Sequence, residues 1–504
     1  MSEEKKAYGQ ILKSSSLVGG AQVINLLIGM VRVKFVAVLL GPSGIGLQGI
    51  FMTIQNMALT ISGLGLKSSG VRDVAESVGS DDAESIARTV LTLRRICFIT
   101  GLLGGGSLAI LAMPISRLTF KSGDYAVHIA WLGLAVLMGS ISAGEMALIQ
   151  GMRRISDLAR LNIITALFGS TIAIGFFWCL GIDGIIPSLL SLATVSLIGS
   201  FWFSRRIQIV KVSMTWRESF DEARGLITLG LAFMWSGVLG VSLAYATRTV
   251  IAQEINLTAV GVFSAAFALS GMFLNFVLGA MGADFYPSLT AVSDNQKKMR
   301  DLVNQQTEVG LLLAVPGLLA TLALAPWIIR IFYTVEFTQS ADLLQWFVLG
   351  CLGRVVSWPM AFIMLAKGRG KTFAFCESIF NLLHFVTIWI GLKWIGLEGV
   401  AVAFCLIYVF YTIGVMLISR HLINFRWSPA VWRLLLVLLP IASLTMLQSR
   451  YLTLFPATVV GSLMTFFTGI FCLCGLFHRL GPEHKIVRLA RKVPLSEYLF
   501  NSRS

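Results

Sequence analysis

An all-α integral membrane protein is what the 504-residue sequence predicts, and three observations carry that prediction. Hydrophobic residues make up 56% of the chain and charged residues only 13%, against about 25% charged in soluble domains. Apolar runs of bilayer-spanning length, about 20 residues, follow one another with short loops between. Forty Lys+Arg face 25 Asp+Glu, a net charge of +15, and the basic residues gather in alternate loops. A soluble enzyme is excluded on this composition. Collagen-like and Pro-rich disordered chains are excluded too, because 48 Gly accompany only 12 Pro. The runs are also too long for the roughly ten-residue alternating strands of a membrane barrel.

Taken in order, the first span covers 15–39, after a polar, basic N-terminus, MSEEKKAYGQILK. No small-residue cleavage pattern follows it, so it reads as an uncleaved span. The second covers 44–66. In the segment 67–88, SDDAESIARTVLTLRR offers Asp81 and Glu84 as a capping box for a helix running into the third span, 89–113. Spans at 125–150, 157–180 and 182–204 complete a first series of six. A second series occupies 225–248, 257–283, 309–333, 341–366, 371–394 and 397–419. Two more lie at 431–449 and 456–477, for about fourteen in all. With the N-terminus in the cytoplasm, inward segments hold 29 Lys/Arg and outward segments 6, which predicts both termini inside.

An internal repeat organises these spans. GIDGIIPS (181–188) resembles GLEGVAVA (396–403) at an offset of 215, and Gly46 in SGIGLQGIF stands to Gly261 in TAVGVFSAAF at the same offset. The basic turns Gly151-Met152-Arg153-Arg154 and Gly368-Arg369-Gly370-Lys371 are read as counterparts. Six spans per repeat is an even number, so the repeats run parallel, related by a pseudo-two-fold axis along the membrane normal. The expected domains are an N-terminal six-helix lobe (1–210), a C-terminal six-helix lobe (211–425), and two additional helices with a basic cytoplasmic tail (426–504). In transporters of this plan, substrate sits near the midplane at the repeat interface.

Polar groups at membrane depth are the candidate functional residues, since burying them is costly. On the first span Gln22, Asn25, Gly29 and Arg32 recur at i, i+3, i+7 and i+10, one helical face. Lys34 lies about 200° around the helix from Arg32 and is free to snorkel. On the eleventh span Glu377, Asn381 and His384 form a second polar stripe, read as an ion-coupling carboxylate with a possible imidazole relay. Arg354, near the centre of its span, needs a carboxylate or an anionic ligand. Glu145 is a candidate partner for it, and otherwise a candidate in ion coupling. Arg248 stands near an outer boundary, as a cavity cation or an interfacial anchor. Asp284, Tyr286 and Pro287 read as a helix end, and His128 as an interface residue. The seven cysteines all fall in apolar stretches, and Cys472 and Cys474 lack partners at ligand spacing, so no metal is expected. The chain lacks a GxxxxGK(S/T) loop and any nucleophile or paired-carboxylate constellation outside the spans. It reads as no enzyme, with no cofactor and no nucleic-acid partner.

Three stretches carry a family resemblance: VKFVAVLLGPSGIGL (33–47), FYPSLTAVSDNQ (285–296), and AKGRGKTFAFCESIF (366–380) leading into WIGLEGVAVAF (394–404). With the helix layout they resemble the multidrug/oligosaccharidyl-lipid/polysaccharide exporter superfamily over about residues 10–420. Within it the likeness is to the polysaccharide transporter family, the Wzx-type O-antigen and enterobacterial common antigen flippases. The resemblance implies a bacterial inner-membrane protein of surface polysaccharide and lipopolysaccharide biosynthesis. Its implied substrate is an undecaprenyl-diphosphate-linked oligosaccharide moved from the cytoplasmic to the periplasmic leaflet. Protons or Na+ are the implied coupling ions, membrane lipids the surroundings, and a polysaccharide polymerase and chain-length regulator possible partners. Lys34, Arg248 and Glu377 fall where enterobacterial common antigen flippases also carry Lys, Arg and Glu. Arg32 falls where lipid II flippases carry an essential first-span Arg; the acidic residue that follows there is Val33 here.

Three other readings compete. A multidrug/cation antiporter of the same fold would favour an acidic or aromatic cavity, whereas Arg32, Lys34 and Arg354 outnumber Glu145 and Glu377. A non-transporting scaffold for glycan assembly would tolerate neutral substitutions at these positions. A membrane glycosyltransferase or ligase would need a long periplasmic loop, which the spacing leaves no room for.

Overall fold

The computed structural model describes residues 3–79 and 82–480, and among these there are helices and turns but no strand. They form two compact units, Met1–Gly261 with Phe332–Glu336, and Val262–Ile331 with Phe337–Ser504. The first unit contains α1 (Glu3–Ser62), α2 (Leu66–Gly79), α3 (Ala83–Ile110), α4 (Ala112–Phe120), α5 (Ala126–Gly151), α6 (Ile155–Leu180), α7 (Ile185–Ser204) and α8 (Trp216–Glu254). It ends with the first residues of α9 (Leu257–Ala291). The second unit continues α9 and adds α10 (Gln296–Ala323), α11 (Ala325–Phe332), α12 (Ser340–Ala366), α13 (Gly370–Ile395), α14 (Leu397–Ile423), α15 (Pro429–Tyr451) and α16 (Leu454–Leu480).

Ten stretches among the described residues, or eleven with one bent pair, are long and apolar enough to cross a membrane. Two of them, Gly20–Ser62 with 43 residues and Ile155–Ser204 with 50, are about twice the length one crossing needs. Each contains a break. In α1 it falls at Gly41 (φ 63, ψ −173), with Pro42 opening the next helical segment, the position where a missing N–H costs nothing. Between α6 and α7 it is a 3-10 turn, Gly181–Gly184. Outward-facing side chains such as Leu103, Ile110, Trp178, Ile198 and Trp394 are large, apolar and exposed, as a lipid-facing surface requires.

Short elements depart from the expected spans. The third span is bent by 58° between α3 and α4, and α11 follows α10 after one residue, Leu324. The segment 67–88 holds a separate helix, α2, whose buried Leu66 and Val74 pack among Leu93 and Leu148. The capping residue of α3 is Asp82, which accepts from Glu84 N at 3.0 Å; Asp81 lies outside the described residues. α8 begins at Trp216, nine residues before the expected span, because Thr215 and Glu218 form a capping box. The first unit keeps α8 with α1–α3, beyond the 210/211 boundary of the repeat. Gly65 and Gly230 let α8 approach that closely, since a Cβ on either would overlap main-chain oxygen of the other segment. The basic tail beyond Leu480 lies outside the described residues.

The repeat is visible in the backbone. Gly181 (φ 57) and Gly396 (φ 75), 215 apart, end α6 and α13. Gly184 packs on Phe176 O, and Gly399 on Gly391 O, again at 215. The basic turns obey the same offset, not the Gly-to-Gly pairing read from sequence. Met152 N, Arg153 N and Arg154 N bond to Leu148 O, Gln150 O and Ile149 O. Lys367 N, Gly368 N and Arg369 N bond to Ile363 O, Leu365 O and Met364 O. Arg153 (φ 54) is therefore the counterpart of Gly368 (φ 67). Within the first unit, Gly46 meets Leu257 O and Gly261 meets Pro42 O, so this crossing is its own image under the offset.

Candidate functional site

In the first unit the polar stripe of α1 is only partly satisfied. Gln22 is exposed and Asn25 half-buried, and Asn25 Oδ1 is buried with no hydrogen-bond partner among the described residues. Arg32 is half-buried, and no described acid pairs with it. Lys34 does not snorkel: its Nζ donates to Tyr333 O at 2.5 Å, fastening the 332–336 segment to α1. Arg248, half-buried on α8, donates from Nη1 to Ala244 O of its own helix at 3.2 Å.

Glu145 belongs to a different arrangement from the one expected. It is 1% exposed, and Arg94 grips it with both forks, Nε to Oε1 at 2.7 Å and Nη2 to Oε2 at 2.9 Å. Its partner is thus Arg94, not Arg354. The sequence placed Arg94 and Arg95 inside a span; because α3 starts at Ala83, they stand only about three turns in. Arg95 binds Met214 O (2.9 Å), Thr215 O (3.1 Å) and Ser219 Oγ (2.8 Å) and lies over the Trp216 ring at 4.6 Å. Arg88 and Thr92 both hold Glu222, at 2.9 and 3.0 Å. These bonds fix the start of α8 on α3. A cavity of about 440 Å3 in this unit is lined by Asn56, Thr60, Lys67, Thr100, Ser140 and Gly237 among apolar side chains. Sequence reasoning missed it, because its polar groups come one or two at a time from α1, α2, α3 and α5 and form no stripe on any one helix.

In the second unit the stripe of α13 meets two tyrosines of α14. Glu377 Oε1 accepts from Tyr411 OH at 2.8 Å. Asn381 donates to the main-chain oxygen of Glu377 at 2.8 Å, so its amide stabilises the helix turn and leaves the carboxylate to Tyr411. His384 packs on Phe404 at 5.9 Å, with Nε2 buried and unpartnered among the described residues. It makes no bond to Glu377. Tyr408 stands between Phe404 (4.9 Å) and Tyr411 (6.2 Å) and within electrostatic reach of both Arg354 and Glu377. Arg354, half-buried on α12, pairs with no described acid. Neither tyrosine was singled out from sequence, since lone aromatics on an apolar helix read as core. Among the described residues no group of three or more His, Cys, Asp or Glu could hold a metal ion.

What these units define first is a class: an all-helical membrane transporter fold with half-buried cations on its apolar helices and a tyrosine-bound carboxylate. The fold is similar to that of an inward-facing multidrug resistance MATE family transporter of the MOP superfamily (TM-score 0.64, 17% identity, 81% of this chain and 96% of that one). It is also similar to lipid II flippase MurJ in an inward closed conformation (TM-score 0.66, 16% identity, 92% and 99%). Among sequence relatives, the lipid III flippase of Escherichia coli (strain K12) is 23% identical over 428 residues, 82% of this chain and 99% of the relative. The probable low-salt glycan biosynthesis flippase Agl15 of Haloferax volcanii is 22% identical over 318 residues, 62% and 63%. Residues 35–342 match the family model described as polysaccharide biosynthesis protein. The chain belongs to that family, and it is a multi-pass protein of the bacterial inner membrane.

Proposed function

We propose that this chain is a flippase for an undecaprenyl-diphosphate-linked oligosaccharide, carried from the cytoplasmic to the periplasmic leaflet by alternating access. The observation that carries the reading is Arg32. A guanidinium at membrane depth is costly unless an anion meets it, and Arg94 shows how this chain satisfies one that has only a structural part, with a forked carboxylate. Arg32 has no such acid among the described residues, so its partner in this reading is the diphosphate, for which a guanidinium offers paired donors. Gln22 and Asn25 on the same face suit sugar hydroxyls. Arg248 and Arg354 serve as further cationic stations, while Lys34 holds a segment in place.

Glu377 is the coupling group, binding a proton or Na+, with Tyr411 orienting it and His384 and Asn381 on the same helix. Glu145, with both oxygens committed to Arg94, is structural in this reading. The fourteen-span layout, with lobes 1–210 and 211–425, the helix pair and tail of 426–504, and both termini cytoplasmic, belongs to the same proposal. So does service to a polymerase and chain-length regulator that consume the product. The decisive experiment reconstitutes the chain in liposomes with a labelled lipid-linked oligosaccharide. Translocation by the wild type and its loss in Arg32→Ala, with insertion unchanged, is the expected result; absence of translocation with the native lipid rejects the function.

A further inference from the structure

A basic basin lies in the second unit where α10, α14 and α15 end or begin. It is a cavity of about 790 Å3 lined by Lys297, Arg300, Asp301, Arg420, Arg426 and main-chain groups around Asn424. Four cations there face one acid, and none of the five makes an ion pair among the described residues. Elsewhere Arg88 pairs with Glu222, Arg154 with Asp157 and Arg479 with Glu308. Like charges lining one cavity repel, so something must hold them.

The clamp is neutral. Asn304 on α10 accepts from Ser428 N at 2.8 Å and donates to Arg426 O at 3.1 Å, tying the α14–α15 connection to α10. Arg300 donates to Asn424 O at 3.4 Å. Phe425, fully buried in the core with Met299 and Val303, pins the connection from beneath. The N-termini of α10 and α15, both long helices, open at the same place and add positive potential. Beside it Trp427 and Trp432 pack edge to face at 5.1 Å, with Trp432 48% exposed, the residue type that marks the membrane–water interface.

We propose that this basin binds the phosphate-bearing headgroup of an anionic lipid in the leaflet adjoining the basic face, and so seats α15 and α16 against the second unit's other helices. Clustered cations between helix ends at that depth are the chemistry that captures such headgroups, and the neighbouring tryptophans place the basin at the lipid boundary rather than in open water. The site uses none of the residues assigned to oligosaccharide translocation.

The test uses the full chain purified in detergent, with cardiolipin, phosphatidylcholine or free pyrophosphate added, read by native mass spectrometry and by thermal midpoint. Cardiolipin should be retained and raise the midpoint, phosphatidylcholine should not, and high salt should erase the difference. The triple variant Arg300→Gln/Arg420→Gln/Arg426→Gln should bind cardiolipin roughly a hundredfold more weakly, at about fivefold per basic residue. Asn304→Ala, which keeps every charge and loosens the clamp, should weaken retention less than the triple variant. Equal retention by wild type and triple variant overturns the site. An equal midpoint shift from free pyrophosphate overturns the lipid as its source. Because the readout is lipid retention, a failed translocation assay leaves this result intact.

Discussion

Substituting Arg94 and Glu145 separately and together decides whether Glu145 is structural or takes part in coupling. The carboxylate is 1% exposed and the guanidinium side chain 39% exposed, so the two singles should not be equal. Arg94→Leu strands a charged group in a dry site, where breaking a buried pair costs about 3–5 kcal/mol; the low end applies here, because one side of the pair reaches solvent. Glu145→Leu leaves an arginine that can reach water, so about 1–2 kcal/mol is expected. At roughly 2–4 °C per kcal/mol for a unit of this size, the thermal midpoint should fall by about 6 °C or more for the first and by a few degrees for the second. The double leucine variant should recover most of the loss, since buried pairs are often replaceable by apolar side chains. Heating the detergent-solubilised, fluorescently tagged protein and following its monodisperse peak supplies the midpoints. Translocation by the double variant in liposomes supplies the functional half. Equal midpoints for the two singles, or a double worse than both, would refute the electrostatic reasoning; a stable double variant that no longer responds to an ion gradient would return Glu145 to the coupling machinery.

Three further outcomes are expected. Glu377→Gln should remove the dependence of translocation on a proton or Na+ gradient, whereas Tyr411→Phe should keep that dependence and slow the rate by about tenfold, the worth of one hydrogen bond to a charged group; liposome assays with and without each gradient separate them. Gly261→Ala should destabilise the first unit by about 1–3 kcal/mol, because its Cβ would overlap Pro42 O, and Gly46→Ala should match it within error in the same heating assay. Thr215→Ala should cost α8 about 1 kcal/mol. Its partner in the box, the Glu218 carboxylate, is held below its usual 4.5 by the N–H of Thr215. A depressed carboxylate stabilises above its unfolded value and loses that contribution as pH falls through the folded one, so amide exchange at 215–219, corrected for intrinsic rate, should quicken below about pH 4.5, and Glu218→Gln should flatten that response.

Most of the helical architecture was legible because hydropathy reports burial in lipid directly, and Gly41-Pro42 and Gly181 mark breaks that few other residues allow. α2, α4 and α11 were not, since helices of 8 to 14 residues next to longer apolar runs leave no separate signal. The candidate site was legible in part. Arg32, Glu377 and Arg354 stand out in any apolar stretch, but which acid meets which base depends on packing between helices, and Glu145 lies 51 residues from Arg94 in the chain. Tyr408 and Tyr411 look like core until Glu377 is seen beside them. The alignment of the basic turns slipped by two residues because glycine was matched to glycine, whereas the backbone matches Arg153 to Gly368. Lys297, Arg300, Arg420 and Arg426 were absorbed into the charge asymmetry that sets orientation; only the fold brings them to one basin.

That turn, built twice from the same hydrogen bonds, contains a conflict that only one half resolves. The left-handed position suits Gly368, while a side chain there meets the following carbonyl at a cost of about 1–2 kcal/mol. The first turn bears that strain at Arg153, itself one of its cations. The second half keeps its backbone relaxed and carries its charge on Lys367, Arg369 and Lys371 around the glycine instead. The two turns give two answers to one problem in a single chain, conformational ease in one and charge at the apex in the other, so each is a built-in control for the other.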